Sequence, residues 1–149
     1  MTAAARPDDV EAVRAVNMAL YDAFEAGDID LMAAVWLDDS ASEVVTCVHP
    51  GWAPLHGTAA VLRSWSVIMA NTSYIQFVLT DVTVSVTGDT AVVTCGENML
   101  TGLPSAADES AGLAGGRAVA TNVFRRTPSG WRLWVHHASP VLARQEEDG

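Results

Sequence analysis

Residues 74–97 read YIQFVLTDVTVSVTGDTAVVTCGE. Apolar side chains alternate with polar ones at Ile75, Phe77 and Leu79, and again at Val82, Val84 and Val86. The parity flips at Thr80-Asp81. Successive strand residues point to opposite faces, so a β-bulge or sharp bend there keeps both apolar sets on one side. Gly88-Asp89 is a two-residue hairpin signal. Closing the hairpin pairs Val86 with Ala91, Val84 with Val93 and Val82 with Cys95. All six fall on one face, so the register supports itself. Glu97 is the next residue on that face.

The C-terminal part repeats the pattern. Residues 117–126 and 131–139 read as two strands around the turn Thr127-Pro128-Ser129-Gly130. A Pro128-Ser129 turn pairs Phe124 with Leu133, Asn122 with Val135, and Ala120 with His137. The other face then carries Val123 with Trp134 and Thr121 with His136. Small residues over 102–116 predict a flexible loop, and the polar 143–149 a frayed tail.

Upstream, Asp8 and Glu11 are spaced as a capping box. Val10, Val13, Val16, Leu20 and Phe24 then form one apolar helical stripe that Gly27 ends. Asp28 caps a short second helix with Ile29, Met32, Val35 and Trp36. Residues 43–49 read as a strand and 50–57 as a Pro/Gly loop. Thr58 caps a third helix with Val61, Leu62, Trp65, Ile68 and Met69 on one side. Helices segregated from a curved, mostly antiparallel sheet make an α+β fold. A bent sheet wrapped by three helices encloses a conical pocket, the default ligand site of a small domain. The reading is one domain, 1–149, with an ordered core over about 8–142.

Composition narrows the function. The chain has 149 residues, 50% of them hydrophobic, and a net charge of −10. Lysine is absent, and all eight cationic residues are arginines. That excludes Schiff-base chemistry and Lys-based phosphate loops, and it disfavours nucleic acid and anionic membranes as partners. No apolar run approaches a membrane span, and MTAAARPDDV has no apolar signal-like core. The expectation is a cytoplasmic protein with Cys47 and Cys95 as buried thiols. No zinc spacing, GxGxxG or Walker pattern is present, so no metal and no cofactor is expected.

Four stretches resemble the nuclear-transport-factor-two-like superfamily, and within it the SnoaL-like branch. They are Ala26-Gly27-Asp28-Ile29-Asp30, Trp36-Leu37-Asp38-Asp39-Ser40, Gly57-Thr58-Ala59-Ala60-Val61, and the closing run from Gly130 to Pro140. The resemblance covers about residues 8–142. It implies an α+β cone (three helices on a strongly curved mixed sheet) and a homodimer formed through the sheet. Relatives of this kind include ketosteroid isomerases, polyketide cyclases, dehydratases and non-catalytic association domains, so the fold alone names no reaction. Where the isomerases carry a base aspartate before a proline, this chain has His49-Pro50. The isomerase helix-one tyrosine falls at Leu20, with Tyr21 one residue away.

The candidate catalytic residues are His49, Glu97, His137 and Asn122. His49 shares a strand face with Val45 and Cys47, and an imidazole in an apolar pocket passes protons either way. Glu97 continues an apolar face, where a desolvated carboxyl has a raised pKa. Asn122 lies near His137 and either orients it or donates to a developing oxyanion. The competing reading for each is a structural hydrogen bond. Should the two faces of the last strand be swapped, His136 and His137 exchange roles. Trp36, Trp52, Trp65, Tyr21 and Phe124 are the candidate pocket residues, with Trp52 at the mouth. The expected function is binding of a hydrophobic small molecule, with cofactor-independent isomerisation, dehydration or cyclisation by His–carboxylate proton transfer. The alternative is a non-catalytic ligand-binding or association domain.

Overall fold

The computed structural model describes residues 8–40, 43–102 and 113–142. Helices α1 (Asp9–Ala26) and α2 (Ile29–Val35) come first, then the short strands β1 (Thr46–Val48) and β2 (Leu55–His56), then helix α3 (Thr58–Ala70). The long strands β3 (Ile75–Thr87), β4 (Thr90–Gly102), β5 (Leu113–Thr127) and β6 (Gly130–Pro140) follow. They form one six-stranded sheet in the order β2-β1-β6-β5-β4-β3. The β1–β6 pair is parallel and every other pair antiparallel. The architecture is the expected α+β arrangement of three helices on a mixed sheet.

Local chemistry accounts for the helix ends. Gly27 adopts φ 63°, and the N–H groups of Gly27 and Asp28 return to the carbonyls of Phe24 and Ala23. This is the left-handed ending that glycine makes cheaply. Oδ1 of Asp28 accepts from the N–H groups of Asp30 and Leu31 at 3.0 and 3.1 Å, capping α2. Two expected caps differ. Asp8 sits at φ −92°, ψ 0°, outside the extended region a capping residue needs, and its side chain makes no cap. Thr58 lies inside α3, and Oδ2 of Asp39 takes its N–H at 2.8 Å. Oδ1 of the same carboxylate takes the N–H of Val45 at 3.2 Å. Asp39 thus ties α3 to the approach of β1, and these donors hold its carboxyl below the usual range.

Two bulges shape the sheet. Along β3 and β4 the register runs Thr83↔Thr94 and then Thr80↔Gly96. The extra residue is Asp81 or Val82, and Asp81 takes φ 53° to absorb it. This is the bulge the parity flip requires. Along β5 and β6, Phe124 pairs with Leu133 as expected, but Val123 then pairs with Val135. Trp134 is the surplus residue. Beyond it Asn122 faces His136 rather than Val135, and Thr121 faces His137. The expected register there is corrected by one residue.

Strand limits shift as well. β1 spans three residues rather than 43–49, and Leu55–His56 within the expected loop pairs with it. β4 and β5 pair up to Gly102↔Leu113, so 102 and 113–116 are strand rather than loop. Residues 103–112 of that expected loop, and the expected tail 143–149, lie outside the described residues.

The core joins Val13, Leu20 and Ala23 of α1, Met32 and Val35 of α2, and Trp36 to the inner sheet face at Val93, Phe124 and Leu133. A ladder-like contact to β6, with the Leu37 N–H on the Leu133 carbonyl at 2.9 Å, holds the end of α2 in place. Arg126 grips Asp9 with two N–H groups, each at 2.9 Å, and reaches Asp89 at 3.0 Å. Its guanidinium lies 4.6 Å from the Trp131 ring centre. These contacts lock the start of α1 to the β3–β4 turn. Among the described residues no helix is long and apolar enough to cross a membrane.

Candidate functional site

Five elements bring polar side chains to one place under the helices. Asn17 and Tyr21 come from α1, Ser64 and Trp65 from α3, Glu97 from β4, Asn122 from β5 and His136 from β6. His49 follows directly after β1. All eight are buried. Glu97 reaches the interior because it continues the face of Val93 and Cys95, as alternation requires. His136 reaches it because the Trp134 bulge turns that strand over.

The cluster is hydrogen-bonded in a defined order. The Tyr21 hydroxyl donates to Oε2 of Glu97 at 2.6 Å. Nδ2 of Asn122 donates to Oδ1 of Asn17 at 2.8 Å and to the Tyr21 oxygen at 3.3 Å. Oδ1 of Asn122 meets Nδ1 of His136 at 2.6 Å. Separately, Nε2 of His49 meets Oγ of Ser64 at 2.8 Å, while the Ser64 hydroxyl donates to the Val61 carbonyl at 2.6 Å. With that hydrogen used, the Ser64 oxygen accepts and Nε2 of His49 donates. The His49 ring stands edge-on to Trp52 and Trp65, with centres 4.8 and 4.7 Å apart, and His136 lies 6.0 Å from Trp65. The Trp65 indole N–H is buried without a hydrogen-bond partner among the described residues.

Burial sets the protonation states. It lowers His49 to about 4 and, helped by the neighbouring His49 and His137, His136 to about 3. Both are neutral imidazoles at pH 7. Burial raises the Glu97 carboxyl, with the Tyr21 hydrogen bond opposing. Cys47 is pushed up to about 12 by burial and by Glu97, so its thiol stays protonated. An acid moved up and bases moved down bring their affinities for a proton together, the condition for exchange between them.

A cleft of about 610 Å³ opens between α1 and β3, with Asn17, Met18, Phe77, Leu79 and Val82 among its walls. Leu79 is the cross-strand partner of Glu97, and Asn17 belongs to the polar chain. Asn17 is thus the point at which the cleft meets the buried cluster.

Of the residues singled out in the sequence, His49, Glu97, Asn122, Tyr21 and Trp65 converge here. Trp52 is 44% exposed against His49. Trp36 and Phe124 are sealed in the core. His137 is exposed and His136 takes the interior place, because the surplus residue in β6 reverses the side-chain alternation. Asn17 and Ser64 were not anticipated. Their signal was a polar residue within an apolar helical stripe, Asn17 between Val13 and Leu20, and Ser64 between Val61 and Trp65.

The two imidazoles make stability depend on pH. Their folded pKa values, about 4 and about 3, lie below the unfolded 6.5. The unfolded chain therefore binds more protons in that window, and stability falls as pH drops through it. Glu97 acts oppositely, since a raised carboxyl loses stability as pH rises through its folded value. With two imidazoles against one carboxyl, the thermal midpoint is expected to fall from pH 6.5 towards 4. His136→Gln should flatten the slope and His137→Gln should not. Equal slopes in both variants would contradict the assignment.

The chain matches the SnoaL-like domain family over residues 13–143. A solved candidate dehydratase of the NTF2-like family from Streptomyces avermitilis is 56% identical, with a TM-score of 0.84 over 93% of this chain and 100% of that one. A candidate calcium/calmodulin-dependent protein kinase type II association domain from Thiobacillus denitrificans is 33% identical, with a TM-score of 0.71 over 87% and 94%. A nuclear transport factor 2 (NTF2-like) superfamily protein from Salmonella enterica shares the fold at 15% identity and a TM-score of 0.78, over 97% and 99%. No curated protein matches the chain. A family match spanning most of the molecule, over the fold just described, places this chain in the SnoaL-like domain family.

Proposed function

We propose that the chain binds a hydrophobic small molecule at the α1–β3 cleft and eliminates water from it by proton transfer, without a cofactor. The observation that carries this is the pairing of a buried carboxyl of raised pKa with neutral imidazoles in one apolar interior. In such an elimination a neutral imidazole takes the proton from the carbon beside a carbonyl, and Glu97 gives a proton to the departing hydroxyl, which leaves as water. Oε2 of Glu97 is held by Tyr21, so Oε1 carries the proton to be donated. The 56% identical candidate dehydratase favours this reaction over isomerisation or cyclisation.

A second reading, a non-catalytic association domain, is favoured by the 33% identical relative and by apolar residues on the outer sheet face. Val78 and Val119 there are 60% and 51% exposed. Either reading carries a homodimer through that face.

The test is a panel of hydrophobic β-hydroxy ketones, followed by the ultraviolet absorbance of the conjugated product, with NMR of Phe77 and Leu79. Product formation in metal-free buffer, with shifts at both residues, is expected. A panel that neither reacts nor moves these signals would sink the first reading. A monomer by light scattering would remove the sheet-mediated dimer.

A further inference from the structure

The hydrogen-bond chain decides which nitrogen of His136 is bare. Tyr21 has a single hydroxyl hydrogen, and Oε2 of Glu97 receives it. The Tyr21 oxygen then only accepts, so the Asn122 atom facing it at 3.3 Å is the amide nitrogen. The other amide hydrogen goes to Oδ1 of Asn17 at 2.8 Å. With both hydrogens committed, the amide oxygen of Asn122 is left for Nδ1 of His136 at 2.6 Å. An amide oxygen cannot donate, so Nδ1 carries the imidazole hydrogen and Nε2 keeps the lone pair. His49 is in the opposite state, since its Nε2 donates to Ser64.

We propose that Asn17 is a positioning residue which, through Asn122, holds His136 in its Nδ1–H form, so that Nε2 of His136 is the proton acceptor of the site. The use of that acceptor rests on the elimination reading above; the tautomer does not. Asn17 lines the cleft, so the residue that sets the tautomer also stands where a ligand enters. Without its oxygen, one hydrogen of Asn122 has no partner, and a buried unmatched donor is costly. The amide then gains little from its present orientation. Turning it over would offer a donor to Nδ1 and transfer the imidazole hydrogen to Nε2.

The experiment is NMR of the full chain with ¹⁵N-labelled histidine at neutral pH and no ligand, reading pyrrole-type and pyridine-type nitrogens. In the wild type His136 should show a protonated Nδ1 and a bare Nε2, and His49 the reverse. Asn17→Leu should move most of His136 to the Nε2–H form while His49 stays unchanged as an internal control. Asn17→Asp, which keeps an acceptor for Asn122, should preserve the wild-type pattern. A wild-type His136 protonated at Nε2 overturns the proposal, and that spectrum decides even where Asn17→Leu fails to fold. An unchanged tautomer in folded Asn17→Leu overturns it too. A tautomer switch in a protein that eliminates no water supports the positioning role and counts only against the elimination reading.

Discussion

Glu97→Gln is expected to lower the rate of water elimination by about 10²–10⁴-fold, the usual contribution of a positioned general acid. Glutamine keeps the size of the side chain and an oxygen for the Tyr21 hydroxyl, which now donates to Oε2 at 2.6 Å. What it lacks is a proton to give away. The loss should therefore appear in kcat, with KM little changed. The pH profile separates this from a packing effect. In the wild type, the proposed elimination requires a neutral imidazole and a protonated carboxyl. It falls on the acid side as the imidazoles charge, near their values of about 4 and about 3. It falls on the alkaline side as Glu97 loses its proton, above the ordinary carboxyl range because burial raises it. Glu97→Gln should remove the alkaline limb and keep the acid one. A variant that retains both limbs at full rate would show that the proton comes from elsewhere.

The largest effect on stability is expected at Trp36. This side chain is 1% exposed and sits between the end of α2 and Leu133 of β6. Trp36→Ala should cost about 3–5 kcal/mol in urea denaturation, the lost transfer free energy plus the cavity left behind. Trp36→Phe should cost much less than that ring deletion. The buried indole N–H has no hydrogen-bond partner among the described residues, so the smaller ring discards an unmatched donor along with some packing. An alanine variant within about 1 kcal/mol of the wild type would mean that the site collapses without a cavity. Similar losses for both substitutions would mean that the indole N–H has a partner in solution.

Most of the fold was legible because its determinants are local. The apolar alternation of 75–79 and its reversed phase at 82–86 demand a bulge between them, and Asp81 supplies it. The same alternation, carried across Gly88-Asp89, puts Glu97 inside. Gly27 and Asp28 announce the join of α1 to α2 through their own backbone and side-chain preferences. The Asp39 contacts with Val45 and Thr58 were not legible, since they span 6 and 19 residues and depend on where the chain returns.

The site divides along the same line. Sequence alone determined that a carboxyl at 97 and an imidazole at 49 lie among apolar neighbours, because strand periodicity assigns each a face. Only the tertiary structure decided that His136, and not His137, joins them. Trp134 and Val135 are both apolar, so the pattern carries no visible break at the surplus residue, and a slip of one residue exchanges the two faces of everything beyond it. The place of Asn17 was decided in the same way. A polar residue in an apolar stripe signals an unusual requirement, but its partner Asn122 is 105 residues away, and only the packing of α1 over the sheet brings the two amides within hydrogen-bond reach.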